Sequence, residues 1–429
     1  MSVVLDKYFN NKESKNIVLF TIGYFISLCG SSLYTFTIGL YVLKLTGSAF
    51  SFATTLVLST IPIIIINPFA GVLADRFDRK FLVVAMDFSN GILLLLLYLI
   101  SKTYGLSVSL IYVSTFMINC LTAIFSISID SAKPNMVSEG KLVNLNSIGK
   151  VISSMTLILG PFMGGLLFSF INIDVFIIIN GISFVISAII EMFLEFNLYG
   201  DKDKDDVKKE SSFINDIREG FKYVMIKKDI ISLIIIFVCI NFSIGFSIQT
   251  PLPFVINNIL NLGSTCYGII QSAFAVGLII GAIITKRYNK IMPLKKSLIF
   301  MSYLISICIF IMAIPIFPVT YFNSKTILTI YYSVLMSLIG IAIAIIDILF
   351  ISYLQQNISN EYRGRVMSFE FSLVKTIVPI ALIISGFLID SIPVYILLVL
   401  GSIILFISSS IWYKKNTYCK VTNDNSENW

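Results

Sequence analysis

No histidine occurs in this 429-residue chain, so any proton bound and released inside it has to be carried by a carboxylate, with lysine as the available neighbouring charge. Six acidic residues sit in or beside long apolar runs: Asp87, Asp130, Glu191, Glu195, Asp347 and Glu370. Asp347 stands apart, embedded in Ile341-Ala-Ile-Ala-Ile-Ile-Asp347-Ile-Leu-Phe350 with no charge adjacent in sequence. Lys150 and Lys375 lie inside or at the edge of apolar runs, at roughly corresponding places in the two halves of the chain. Proton binding is one role open to Asp347, Lys375, Asp87, Asp130, Lys150 and Glu370. Structural ion pairing is the other, Asp347 with Lys375 or Asp130 with Arg76, Arg79 or Lys133. Glu191 and Glu195 read as residues close enough to the membrane surface for solvent to satisfy them.

Other chemistries find little support. Cys29, Cys120, Cys239, Cys266 and Cys308 lie in or beside apolar runs without metal-ligand spacing, and read as buried free thiols; Cys419 falls in a polar tail. No metal site and no cofactor is expected. There is no His-x-x-x-His, no Gly-x-Ser-x-Gly, no intramembrane aspartate pair and no Gly-x-x-x-x-Gly-Lys-Ser/Thr, so neither an intramembrane enzyme nor an ATPase is indicated.

The elements that must position these side chains are membrane spans. Apolar residues make up 57% of the chain, charged residues 13%, and the mean hydropathy is +0.91, a balance suited to a bilayer. Twelve helical spans are expected near 17–43, 49–70, 81–101, 105–129, 146–170, 173–195, 230–257, 264–285, 294–314, 326–353, 366–389 and 392–413. The first run is too long for a signal-peptide core and reads as a retained span. Pro251 and Pro253 are expected to break the seventh span near its outer end, where a moving gate could form. All but five of the 31 Lys and Arg residues fall in the termini and in the connections on the same side as them. Lys44, Lys102 and Lys325 lie opposite, and Lys150 and Lys375 belong to spans. Basic residues are retained on the inner side, so both termini are expected in the cytoplasm. The net charge of +7 is then an orientation signal, and no nucleic-acid partner is expected because the basic residues are scattered over short turns.

One inner turn concentrates five charges in six residues: Gly71-Val-Leu-Ala-Asp75-Arg76-Phe-Asp78-Arg79-Lys80. A degenerate echo follows in Gly281-Ala-Ile-Ile-Thr285-Lys286-Arg287-Tyr-Asn-Lys290, where Thr285 replaces the Asp. The chain therefore reads as an N-terminal six-helix half (1–196), a cytoplasmic linker (197–229), a C-terminal six-helix half (230–413) and a tail (414–429). Within the linker, Phe213, Ile214, Ile217, Phe221 and Val224 recur at helical spacing among Arg218, Lys222, Lys227 and Lys228. That pattern suggests a helix lying on the inner membrane surface, with a plain connector as the alternative.

These strings together resemble the major facilitator superfamily, and more narrowly its branch of bacterial macrolide-efflux pumps and siderophore exporters. Gly71, Asp75, Arg76, Arg79 and Lys80 match the superfamily's loop motif, and Asp78 stands where most members have Gly, a trait of the branch. Ser27-Leu-Cys-Gly30-Ser31, Leu45-Thr46-Gly47-Ser48, Pro134-Asn-Met-Val137 and Tyr362-Arg363-Gly364-Arg365-Val366-Met367-Ser368 are further similarities in the same order. Leu159-Gly160-Pro161-Phe-Met-Gly164-Gly165 is similar to the tail of the superfamily's antiporter motif, without the upstream glycines; generic helix packing is its other reading.

The resemblance implies an all-α integral membrane protein of twelve spans in two pseudo-symmetric halves, multi-pass in the bacterial cytoplasmic membrane and monomeric. It implies secondary transport, with protons as coupling ion and an amphipathic, macrolide-like cargo. Export of a siderophore, lipid or peptide-like metabolite, solute import, or a membrane sensor are the alternatives. Asp75, Arg76 and Arg79 carry over as a cytoplasmic gate lock, for which a plain positive anchor is the competing account. Spans 1, 4, 7 and 10 conventionally line the central cavity, which makes Ser27, Ser31, Tyr34, Asn119, Thr122, Asn241, Phe242, Phe246 and Gln249 candidates for contact with substrate.

Overall fold

A computed structural model describes residues 12–199, 225, 227–288, 292, 294–317, 324–358 and 360–424. The fold is all-α. Helix α1 covers Lys12–Thr46, α2 Ala49–Arg76, α3 Arg79–Tyr104, α4 Val108–Met136, α5 Glu139–Phe170 and α6 Ile173–Met192. Then follow α7 at Lys228–Ile244, α8 at Ser264–Tyr288, α9 at Leu294–Ala313, α10 at Lys325–Asn357, α11 at Asn360–Ile389 and α12 at Val394–Asp424. Among the described residues eleven helices are long and apolar enough to cross a membrane, and α11 contributes a shorter apolar stretch at Thr376–Ile389. The proposed surface helix around Phe213–Val224 lies outside the described residues.

The chain divides into two compact units, Met1–Leu45 with Thr55–Lys209, and Thr46–Thr54 with Glu210–Trp429. The opening of α2 thus clusters with the second unit, although the boundary at 196 would assign it to the first. The same pairing recurs in both: α3 packs along α6, and α9 along α12. Lipid tails are as apolar as leucine, so helices in a bilayer associate through close packing and hydrogen bonds between helices. Both are visible in the first unit. A Cβ on Gly91 would lie 2.6 Å from Val185 Cγ2 and 2.9 Å from the Gly181 carbonyl, so α3 and α6 nearly touch backbone to backbone. Asn180 Nδ2 donates to the Gly30 carbonyl (3.1 Å) and Ser187 Oγ to the Gly23 carbonyl (2.8 Å), tying α6 to α1.

Aromatic stacks fill what the glycines leave. Phe20 stacks on Tyr24 at 5.0 Å, and Tyr24 on Phe125 at 6.4 Å, in the first unit. Phe237 stacks on Phe350 at 4.4 Å in the second. There the indole of Trp412 on α12 donates to the Ser232 carbonyl of α7 at 2.8 Å. The five described cysteines are free thiols.

Pro251 and Pro253 do not break the seventh span, contrary to the sequence expectation. The chain passes from α7 through π-helical Gly245–Gln249, a short α-helical Pro251–Phe254 and π-helical Val255–Ile259. The ladder widens on either side of the prolines: at the end of the second π turn, Leu260 N–H reaches the Val255 carbonyl, five residues back, at 2.8 Å.

Candidate functional site

The charged inner turn owes its tightness to Asp78. At φ −58° and ψ 120° it is the N-cap of α3, and its carboxylate accepts from Phe81 N–H at 2.7 Å. An Asp immediately before an apolar helix is a capping signal, so the residue that marks the branch also has a local physical use. Arg79 folds back, Nε donating to the Ala74 carbonyl (3.3 Å) and Nη1 to the Ser131 carbonyl at the end of α4 (3.0 Å). Its guanidinium therefore joins α2, α3 and α4. Arg76 is exposed and Lys80 half-buried. Gly71 and Asp75 lie on α2, but the side chain of Asp75 is outside the described set, as are those of the echo's Lys286 and Lys290. Thr285 is buried and donates to the Gly281 carbonyl within its own helix at 2.7 Å. Asp78→Ala removes one cap and is expected to lower stability by about 1 kcal/mol, read as an earlier loss of the folded peak on size-exclusion chromatography after heating.

Beside this turn is a hollow of about 810 Å³, bordered by Phe77, Asp78, Arg79, Asn135, Ser138 and Glu139. The start of α1 is tied to residues bordering it. Glu13 accepts from Ser138 N–H (2.7 Å) and Ser138 Oγ (2.6 Å), and pairs with Lys141 at 2.9 Å. Asn16 donates to the Met136 (3.0 Å) and Glu195 (2.7 Å) carbonyls and accepts from Glu195 N–H (2.9 Å). Burial pushes the Glu13 carboxyl up, but the Ser138 hydroxyl, Lys141 and the Ser138 amide together hold it below its ordinary 4.5. A depressed folded-state value means that Glu13 contributes fully above that ordinary value, and that its contribution is lost as pH falls through the folded one. The stability difference between wild type and Glu13→Gln is therefore expected to be constant near neutrality and to shrink in acid, measured as the midpoint of thermal loss of the folded peak against pH.

The proton-binding candidates separate sharply. Asp130 is exposed and pairs with Lys133, whose buried stem places the ammonium 5.5 Å from the ring centroids of both Phe20 and Tyr24. This is structural pairing. Asp347 is half-buried and forms no ion pair with a described side chain. The side chains of Lys375 and Glu370 lie outside the described set, and Lys150 is exposed. Glu195 is partly exposed and pairs with Lys12 at 3.3 Å, close to its expected surroundings. Glu191 is not. It is 1% exposed, and Asp87 is 0% exposed, so solvent satisfies neither. Ser27 Oγ donates to Asp87 Oδ1 at 2.8 Å, and Ser187 Oγ is 3.4 Å from Glu191 Oε1. The expectation of a solvated Glu191 fails because position along the chain gives no angle around the helix. The signal lay around the helix: Phe184, Ser187, Ala188 and Glu191 share the buried face of α6.

Several substrate candidates prove to be core residues of their own units. Tyr34 is 0% exposed, and its hydroxyl is 3.1 Å from Ser114 Oγ and 3.2 Å from Thr115 Oγ1. Phe246 is buried, stacked on Phe242 at 5.7 Å, and its carbonyl accepts from Ser385 Oγ at 2.7 Å. Neither they nor the buried Ser27 is free to line a cavity, because helix rotation turns them inward. Ser31, Asn119, Thr122, Asn241, Phe242 and Gln249 are half-buried. Asn119 donates to the Thr115 carbonyl (2.8 Å) and Asn241 to the Phe237 carbonyl (2.9 Å), each within its own helix. On α5, a Cβ on Gly160 would collide with Ser32, and one on Gly164 would come within 2.8 Å of Phe36 Cδ1. These glycines seat α5 against α1. Pro161 is inside the helix and Gly165 is buried.

The profile of the Major Facilitator Superfamily matches residues 20–381. Macrolide efflux protein A of Streptococcus pyogenes is 23% identical over 410 residues, covering 94% of this chain and 96% of that protein. Macrolide efflux protein A of Enterococcus faecalis is 23% identical over 341 residues, covering 78% and 100%. Among solved structures, the nucleoside transporter NupG aligns with a TM-score of 0.70 at 14% identity, over 92% of this chain and 98% of that one. A bacterial homologue of the iron transporter ferroportin, in an inward-facing state, aligns with a TM-score of 0.70 at 16% identity over the same shares.

Proposed function

Because the chain belongs to the Major Facilitator Superfamily, we propose that it is a secondary active transporter that exports a bulky amphipathic, macrolide-like compound by alternating access, with protons as the coupling ion. The observation that carries this reading is the full-length likeness to Macrolide efflux protein A; the solved structures contribute the fold alone. In this reading the protein is a monomer in the bacterial cytoplasmic membrane with both termini inside, supported by the placement of all but five of the 31 basic residues. It moves its cargo without converting it, so no enzymatic activity is proposed. The turn at Asp75, Arg76 and Arg79 acts as the inner lock. Arg79 already bonds carbonyls at the ends of α2 and α4, a seat that holds its charge at the inner face.

The test is counterflow in proteoliposomes with a fluorescent macrolide conjugate, repeated under an imposed pH gradient. Exchange above that of protein-free liposomes, and accumulation that follows the gradient, are expected. Absence of exchange with the conjugate would sink the cargo class; exchange indifferent to the gradient would sink proton coupling.

A further inference from the structure

We propose that Asp87 and Glu191 form one proton-binding pair in the first half, sharing a single proton, with the hydroxyls of Ser27 and Ser187 as its seat. This rests on the proton-coupled reading above and deepens it by giving the proton a site.

The two carboxyl groups come from α3 and α6, which pack along each other. The α3–α6 contact at Gly91 and Gly181 lies one turn from Asp87 on α3, and α6 then carries Ser187 and Glu191 on the same buried face. On the α1 side, a Cβ on Gly23 would lie 3.2 Å from Glu191 Cγ and 3.5 Å from its Oε1. Glycine at 23 therefore leaves room for the Glu191 side chain.

Hydrogen bonding leaves the pair incomplete as two carboxylates. Asp87 Oδ1 accepts from Ser27, and Glu191 Oε1 faces Ser187, whose hydroxyl has one proton and is also drawn to the Gly23 carbonyl. Asp87 Oδ2 and Glu191 Oε2 are both buried and have no partner among the described residues. An ionised carboxylate can only accept, so every further acceptor worsens the deficit. One proton on either group turns an acceptor into a donor.

The charges nearby do not offer another solution. Facing the pair from α1 are Ser27 and the Gly23 carbonyl, and from α6 Ser187. On α3 itself Asn90 is directed to Thr122 of α4 at 3.5 Å. The charged pair of α4, Asp130 and Lys133, is turned to Phe20 and Tyr24. No ion pair joins either carboxyl to a described lysine or arginine. Two unscreened negative charges in an apolar interior repel each other and forfeit their hydration, whereas one shared proton removes both costs. Among the described residues no group of three or more acidic or cysteine side chains could hold a metal ion. At the matching α9–α12 pairing in the second half the facing groups are hydroxyls, Tyr303 with Ser410 at 2.9 Å and Ser306 with the Ser402 carbonyl at 2.8 Å.

Position suits the role. Asp87 lies about two turns from the inner end of α3, and Glu191 in the last turn of α6. In an exporter driven by inward proton flow, this is where the proton would be given up to the cytoplasm.

The test titrates the full chain in lipid nanodiscs while recording the infrared C=O stretch of protonated carboxyl groups, alongside D87N, E191Q and the double variant; the amide band in the same spectra reports the fold. A protonated-carboxyl band that persists at neutral pH in wild type, shifts in each single variant and vanishes in the double variant is expected. A band unchanged in the double variant, or no such band at neutral pH in wild type, overturns the proposal. Displacement of the band by sodium or lithium at fixed pH assigns the pair to a metal cation and overturns it as well. In proteoliposomes, loss of gradient-driven accumulation of the fluorescent macrolide conjugate is expected for D87N and E191Q. If both variants keep that accumulation, the pair is not the coupling site although proton coupling stands. If wild type exchanges the conjugate but ignores the gradient, the coupling reading fails, and the infrared titration still decides whether the pair holds a proton.

Discussion

Gly277→Leu is expected to leave almost no folded protein after extraction from the membrane. A Cβ at Gly277 would strike the backbone of Ser337, and one at Gly281 would lie 2.6 Å from the Ile341 carbonyl. The partner helix replies in kind, because a Cβ on Gly340 would run into the Phe274 carbonyl. Helices α8 and α10 therefore meet backbone to backbone over more than one turn. A flexible side chain could move aside, but here the obstructing atoms belong to a helix ladder. The cost of such overpacking should exceed about 3 kcal/mol, the upper part of the range seen for forced insertions into packed interiors. Gly140→Ala is the control: nothing lies within 4 Å of its Cβ position, and stability should change by no more than ~0.5 kcal/mol. Recovery of the folded peak on size-exclusion chromatography distinguishes the two. Equal recovery of both variants would refute the packing argument.

Asn16→Ala is the second large effect. The side chain is 2% exposed and makes three bonds, all to backbone, joining the start of α1 to the end of α4 and to the segment after α6. Removing it orphans two carbonyls and one amide, so about 3 kcal/mol should be lost. Asn16→Asp isolates the donors. It keeps the acceptor for Glu195 N–H but sets a carboxylate against two carbonyl oxygens, and should be no more stable than the alanine variant near neutral pH. Thermal midpoints of the three proteins decide the matter, and a wild-type midpoint in Asn16→Ala would show that the clamp contributes nothing.

Most of the architecture was legible in the sequence. Span length and apolar runs were enough for the helices, because a bilayer leaves the backbone few options. The charged turn was legible as a motif with Asp78 in it, but the capping role of Asp78 depends on where α3 begins. The candidate site was less legible, for a geometric reason. Sequence position gives depth along a helix, but not the angle around it. Tyr34 and Phe246 have polar or aromatic side chains part-way along their helices, but turn into the cores of their own units. Glu191 has the depth of an interfacial residue and an angle that buries it against α1 and α3. Pro251 and Pro253 illustrate a different gap: proline removes donors predictably, but whether the helix breaks or widens depends on packing that spacing does not record.

The hydrogen bond from Trp412 to Ser232 has a spectroscopic consequence. The chain has 2 tryptophans, Trp412 and the C-terminal Trp429, so the first six helices are dark to indole emission. Trp412 is 6% exposed and anchored between α12 and α7, which makes its emission a reporter of the second unit alone. Loss of Gly277 packing would be seen as a red shift as water reaches the indole, whereas collapse around Asn16 or Glu13 would pass unnoticed until it reached the other half. Comparing emission with a global probe would therefore reveal whether the two units melt together or in turn.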